Sequence, residues 1–268
     1  MNSTTEVNHE KLMELFGNVF NDVAGSMAIM MSYLGDQTGA YRAVDKLGPA
    51  TAEEIARESH VDERYLLEWL SSNAGRGYVT YHEETNHFSL SPEQAAVFAR
   101  ETEPTCIQGL VQGVVGQFVK EDVAVEVFKT GRGRPWGEHH ECCFCGTERF
   151  FRPAYASHLL DEWIPAMEGV ETKLTKGAKV ADIGCGLGTS SMLMAEQYPN
   201  STIHAFDFHE PSIEEAKKRA EEKGLNNLEF FVSDAAAIPK ESYDLACIFD
   251  AWHDMGDPIG VAKAIKDT

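Results

Sequence analysis

The chain has 268 residues, room for two domains of ordinary size, and 43% of them are hydrophobic, which suits a globular fold. Its formal charge of −20 opposes binding to nucleic-acid phosphates and to anionic membranes. No apolar run is long enough to span a bilayer, and the opening MNSTTEVNHEK lacks the basic and apolar regions of a secretion signal. Without such a signal, Cys106, Cys142, Cys143, Cys145, Cys185 and Cys247 read as reduced thiols of a cytoplasmic protein.

In chain order, residues 1–9 read as a tail and 10–34 as one long helix, the core of an N-terminal segment 1–37. Leu12, Leu15, Phe16, Val19, Phe20, Val23, Met27, Met30, Met31 and Leu34 recur at three- and four-residue steps, a stripe for core or dimer packing. Residues 38–103 read as a winged helix. Thr51 with Glu54 makes a capping box, and Asp62 can cap a second helix that buries Leu66, Leu67 and Leu70. Two alternating stretches, 78–81 and 87–90, flank the polar 82–86 as the strands of a hairpin wing. Ser91, Pro92 and Gln94 start another helix. Glu63, Glu68, Glu83 and Glu84 lie on the faces a winged helix would turn to DNA, where they would repel phosphate.

Residues 104–172 read as a helical linker with a loop near an active-site mouth. Gly and Pro mark 130–149 as loop. It holds His139, His140, Cys142, Cys143 and Cys145, but their spacing fits no standard zinc knuckle, so no metal is expected. An amphipathic helix, 153–168, leads into the last domain, 173–268.

That domain opens on KVADIGCGLGTSS. Val180, Ala181 and Ile183 suit a buried parallel strand; Gly184, Gly186 and Gly188 follow, and a helix starts at Thr189. The spacing GxGxG is not the dinucleotide GxGxxG. Asp182 would repel a pyrophosphate and attract a cation, such as an ammonium or a sulfonium. A second strand ends at Asp207, a third (228–233) at Asp234, and a fourth (243–250) precedes AWHDMGDP. D-I-G-C-G-L-G-T, with acids at the ends of successive strands, resembles the class I S-adenosylmethionine-dependent methyltransferases. AWHDMGDP resembles the His-Asp pair after strand four of small-molecule O-methyltransferases.

The resemblance implies a Rossmann-like α/β fold behind a winged helix that mediates dimerisation and walls the substrate pocket. It implies cofactor contacts from Asp182, Gly184, Cys185, Gly186, Gly188, Asp207, Phe208, Ser233, Asp234, Ala235 and Asp250. Asp182 would neighbour the methionine amine, Asp207 would bind ribose and Asp234 adenine, and Phe208 would flank the adenine face. His253 is the candidate base, with Asp254 or Asp250 to orient it. The implied partners are a small-molecule methyl acceptor and a second copy through the N-terminal helices, without nucleic acid or membrane. The family's sheet has seven strands, ordered 3-2-1-4-5-7-6, and here the sequence stops soon after the fourth. An incomplete sheet with strand four at its edge is therefore expected. Two other readings remain: an inactive, shortened cofactor-binding or dimerising protein, and a winged-helix transcription regulator with a nucleotide sensor.

Overall fold

A computed structural model describes residues 7–240 and 243–266. The chain divides into two compact units, Met1–Val115 and Gly116–Thr268. Most of the expected N-terminal tail, residues 1–6, lies outside the described residues.

The first unit begins with α1 (His9–Gln37), capped by the Asn8 side chain, which accepts from Lys11 N at 3.0 Å. Only its last turns are buried, at Ala28, Ser32, Gly35 and Asp36. There Gly35 lies against the Trp69 ring, where a Cβ would collide, and Trp69 Nε1 donates to the Met31 carbonyl at 2.8 Å. The rest of the apolar stripe is not core. Leu12, Leu15, Phe16, Val19, Phe20 and Val23 are all exposed.

Three helices follow: α2 (Ala40–Leu47), α3 (Ala52–Ser59) and α4 (Glu63–Gly75). The Thr51–Glu54 capping box and the Asp62 cap form as the sequence implies. The hairpin β1 (Thr80–His82) and β2 (His87–Ser89) pairs antiparallel, and α5 (Pro92–Phe98) carries the Ser91–Gln94 box. Tyr41, Val44, Ile55, Leu66, Leu70 and Phe88 form the core of this unit. Burying each large apolar side chain is worth about 1.5–3 kcal/mol. Leu67 is exposed, contrary to expectation, because the core face of α4 carries Leu66, Trp69, Leu70 and Asn73, and Leu67 lies off it.

The unit boundary falls within α6 (Gln108–Val119), which is followed by α7 (Glu121–Thr130). The stretch read as a loop, 130–149, is loop only in its first part. A 3-10 turn (Trp136–Glu138) leads into α8 (Glu141–Ala154), capped by His140 Nδ1, which accepts from Cys142 N at 3.2 Å. Gly131, Gly133, Pro135 and Gly137 all precede the helix, whereas Gly146 lies buried within it; Cys142 and Cys143 are packed and Cys145 is exposed. Pro153 cannot donate a backbone hydrogen bond, and from Tyr155 to Trp163 the helix widens to π geometry, with Ile164 N donating to Leu159 O at 3.0 Å.

After α9 (Val170–Lys176) come β3 (Lys179–Ile183), α10 (Thr189–Gln197), β4 (Thr202–Asp207), α11 (Glu210–Glu222), β5 (Leu228–Val232), β6 (Leu245–Cys247) and α12 (Pro258–Lys266). The sheet is wholly parallel, ordered β5-β4-β3-β6. Central strands β3 and β4 are buried along almost their whole length, Asp182 and His204 included, because helices or loops cover both faces. One face holds Val180, Ile203, Ala205, Phe230, Met194 and Ile213; the other holds Ala181, Ile183, Phe206 and Ile238. Strand β6 is shorter than the expected 243–250. Among the described residues it pairs on one side only, over Val180↔Leu245 to Asp182↔Cys247.

Candidate functional site

The glycine bend between β3 and α10 is pinned to the end of β4. Gly184 N and Cys185 N both donate to the Phe206 carbonyl, at 2.8 and 3.0 Å, and Gly186 N donates to Asp207 Oδ2 at 2.9 Å. Asp207 Oδ1 accepts His209 N at 2.8 Å. All three glycines have positive φ, at 72°, 53° and 76°. Their surroundings differ. A Cβ on Gly184 would lie 2.5 Å from Ala251 Cβ, and one on Gly188 would lie 2.7 Å from the Phe230 ring. A Cβ on Gly186 would meet nothing within 4 Å, so the open face of the bend is at Gly186.

Asp182 lies beneath the bend, fully buried. Its Oδ2 accepts Ser190 Oγ and Ser191 Oγ, each at 2.6 Å, and Oδ1 has no partner among the described residues. Burial pushes its carboxyl above the usual range, the two serines pull it down, and the Asp207 charge pushes it up. Cys185 is buried in the turn, and that burial pushes its thiol well above the ordinary range.

Phe208, at 57% exposure, projects at the carboxyl end of β4, free for a planar group to lie against. Ser233 N donates to the Asp207 carbonyl at 2.9 Å, and exposed Asp234 accepts Ala236 N at 2.8 Å; half-buried Ala235 begins that turn. These residues lie at the carboxyl ends of β4 and β5, the side of a parallel sheet where ligands bind.

Beyond β6, Asp250 takes the left-handed conformation at φ 55°, unusual for a residue other than glycine. His253 sits on the 3-10 turn Trp252–Asp254, whose indole donates to the Pro258 carbonyl at 2.9 Å. His253 Nε2 is 3.3 Å from Asp254 Oδ1, and Nδ1 is 3.9 Å from Asp250 Oδ1, longer than a hydrogen bond. The Gly184–Ala251 contact sets this turn directly against the bend.

Three side chains near the site were not singled out from the sequence. Glu148 of α8 accepts Thr189 Oγ1 at 2.9 Å, which ties α8 to the first residue of α10, and Arg152 and Arg219 flank it at 3.3 and 3.8 Å. Tyr155 packs on Phe249 with ring centroids 5.4 Å apart; burial raises its hydroxyl, and the Asp182 and Asp250 charges raise it further. Arg134 lies in the loop before α8. The signal for Tyr155 was its four-residue step from Phe151, with which it stacks at 5.9 Å. Cys143 and Cys145 carry thiols raised by burial, and no cluster of metal-ligating side chains is found among the described residues. No helix among the described residues is long and apolar enough to cross a membrane.

Residues 174–267 match a methyltransferase domain, and residues 25–100 match an Rv2258c-like winged HTH domain. The chain is 34% identical over 111 residues to a tRNA (guanine-N(7)-)-methyltransferase of Edwardsiella ictaluri, covering 35% of this chain and 46% of that one. It is 40% identical over 72 residues to the aklanonic acid methyltransferase DauC of a Streptomyces species, covering 26% and 33%. The chain thus spans less than half the length of these curated relatives. Among solved structures, the mitomycin 7-O-methyltransferase MmcR aligns with a TM-score of 0.67 at 16% identity, over 96% of this chain and 78% of that one. Human N-acetylserotonin methyltransferase, solved with S-adenosylmethionine, aligns with a TM-score of 0.64 at 14% identity, over 98% and 77%.

Proposed function

We propose that this chain, a methyltransferase domain set behind a winged helix-turn-helix domain, is an S-adenosylmethionine-dependent O-methyltransferase of small molecules. One observation carries the reading: the open glycine bend and the His253 turn meet at the carboxyl ends of adjacent strands β3 and β6, through Gly184 and Ala251.

The residues present fit the cofactor. The bend is open at Gly186, Asp207 keeps acceptor capacity for hydroxyl groups, Phe208 offers an exposed ring, and the unpartnered Oδ1 of Asp182 adds a negative field for an ammonium. When bound, S-adenosylmethionine supplies an electrophilic methyl group on sulfur. Asp182, Gly184, Cys185, Gly186, Gly188, Asp207, Phe208, Ser233, Asp234, Ala235 and Asp250 form the cradle. His253 takes the acceptor hydroxyl proton at Nδ1, the nitrogen without a close partner, while Asp254 orients the ring through Nε2. Proximity of the two sites supplies much of the remaining rate.

A small acceptor is favoured over nucleic acid because a charge of −20 would repel a polyphosphate chain. The exposed α1 stripe, with Phe16 and Phe20 more than half exposed, is the surface we assign to a second copy of the chain. The domain limits we assign are 1–37, 38–103, 104–172 and 173–268. The test is incubation with methyl-labelled S-adenosylmethionine and pools of small hydroxylated metabolites. Label transferred to an acceptor, and lost in His253→Ala, is the expected result; cofactor binding with no transfer to any pool would sink the catalytic reading.

A further inference from the structure

Two nitrogens of the Arg134 guanidinium have no hydrogen-bond acceptor among the described residues, although its charge is felt by Glu138. Its Nη1 donates to Gln117 Oε1 at 3.2 Å, whereas Nε and Nη2 are closed off from solvent and have no hydrogen-bond partner among the described residues. A buried cationic edge left unpaired is costly, and native proteins rarely keep one without use. The nearby acids are already committed. Glu126 and Glu138 both accept from Arg132 Nη2, at 3.0 and 2.7 Å. Nε–H and Nη2–H lie parallel along one side of the planar guanidinium, a fork that matches the two oxygens of a single carboxylate.

This edge belongs to the candidate site by position. Gln117 Nε2 is 3.4 Å from His139 Nδ1, and the His139 ring lies 5.3 Å from Trp136. Trp136 meets Phe144 at 5.4 Å, and Phe144 meets His209 at 4.8 Å, two residues beyond Asp207. Burial and the Arg134 charge push the His139 imidazole below its ordinary range, and the Asp254 and Glu138 charges partly offset them. Segment 134–139 thus reaches from the end of β4 toward the partner of the candidate base. Gly131 and Gly133, with φ of 68° and 79° and open space where a Cβ would be, flank Arg132, whose bonds to Glu126 and Glu138 are what a movement of the segment would have to strain.

We propose that Arg134 recognises a carboxylate on the methyl acceptor, so that the substrate is a small hydroxy acid and not a neutral alcohol or phenol. The assignment rests on the O-methyltransferase reading of the same site. The edge is covered in this structure, so the acid reaches it only when segment 134–139 moves aside.

The test is calorimetric binding to the full chain, with and without saturating S-adenosylhomocysteine. The probes are 4-hydroxybenzoate and 3-hydroxybutyrate and their methyl esters. At least one acid should bind about tenfold or more tighter than its ester, the weight of one charge-assisted hydrogen bond. Arg134→Met should abolish that preference and leave ester affinity alone, and Arg134→Lys should keep part of it, because charge remains without the fork. Equal binding of acid and ester, no binding of either acid, or equal loss of acid and ester in Arg134→Met would overturn the proposal. If Arg134→Met does not fold, the acid preference in the wild type and its partial retention in Arg134→Lys decide. S-adenosylhomocysteine affinity, measured separately, judges the methyltransferase reading itself, and the titrations without it judge Arg134 in either case.

Discussion

Asp207 Oδ2 accepts the backbone N–H of Gly186 at 2.9 Å, so the end of one strand and the bend after its neighbour move as one piece. The same carboxylate holds His209 N through Oδ1. In Asp207→Ala both donors lose their acceptor. Removing a charged acceptor costs about 1.5–3 kcal/mol, so S-adenosylhomocysteine should bind roughly ten- to a hundredfold more weakly. An unchanged dissociation constant by calorimetry would refute the role.

The three glycines should fail in different ways. Gly184→Ala and Gly188→Ala press a methyl group on Ala251 and on the Phe230 ring, overpacking that costs about 1–3 kcal/mol beside the left-handed strain. Gly186→Ala meets no atom and carries only the strain, about 1–2 kcal/mol, but puts its methyl on the open face. Melting temperatures should fall most for Gly184→Ala and Gly188→Ala, and cofactor affinity relative to stability should fall most for Gly186→Ala. Identical melting losses in all three would contradict the assignment.

His253→Ala should lower methyl transfer by about a hundred- to ten-thousandfold, the usual worth of a general base, with cofactor affinity unchanged. Asp254→Asn should cost less, since it alters the orientation of the ring and not its presence. A His253→Ala variant with wild-type turnover would remove the base from the mechanism.

Asp182 makes stability depend on pH. Burial, the first cause, holds its carboxyl above the ordinary range despite the Ser190 and Ser191 hydroxyls. The folded protein then keeps a proton that the unfolded chain releases near its usual pKa of about 3.9. That contribution is full below the unfolded value and is lost as pH rises through the folded one. Asp182→Asn cannot ionise, so its stability relative to wild type should climb across that interval. Urea denaturation at a series of pH values checks this, and a constant difference would refute it.

Glutamates at Phe16 and Phe20 should dissolve a dimer formed through α1. Both side chains are more than half exposed, so the fold should survive the change. Light scattering should show two chains per particle for wild type and one for the double variant. A monomeric wild type would withdraw the surface from this use.

Much of this protein is written locally. The capping boxes at Thr51 and Ser91, the apolar runs of β3 and β4 and the glycine bend all depend on residues a few positions apart, and each forms where the sequence implies. Strand β6 came out shorter than its apolar run, because pairing on one side only, among the described residues, leaves 248–250 free to turn away. The helix at Glu141–Ala154 was hidden because most of the Gly and Pro residues of 130–149 belong to the segment before it, and because Gly146 is tolerated inside it at a buried position.

What the chain determines by itself is therefore the list of elements and the chemistry of the bend, since hydrophobic period, caps and left-handed glycines act over a few residues. Tertiary structure alone decided that Asp182 lies under the bend and not on its surface, that Glu148 grips Thr189, and that Arg134 has a buried edge with nothing to hold. Each of these is a meeting of segments far apart in sequence, fixed by which faces the sheet and its helices bury, and no local pattern encodes it.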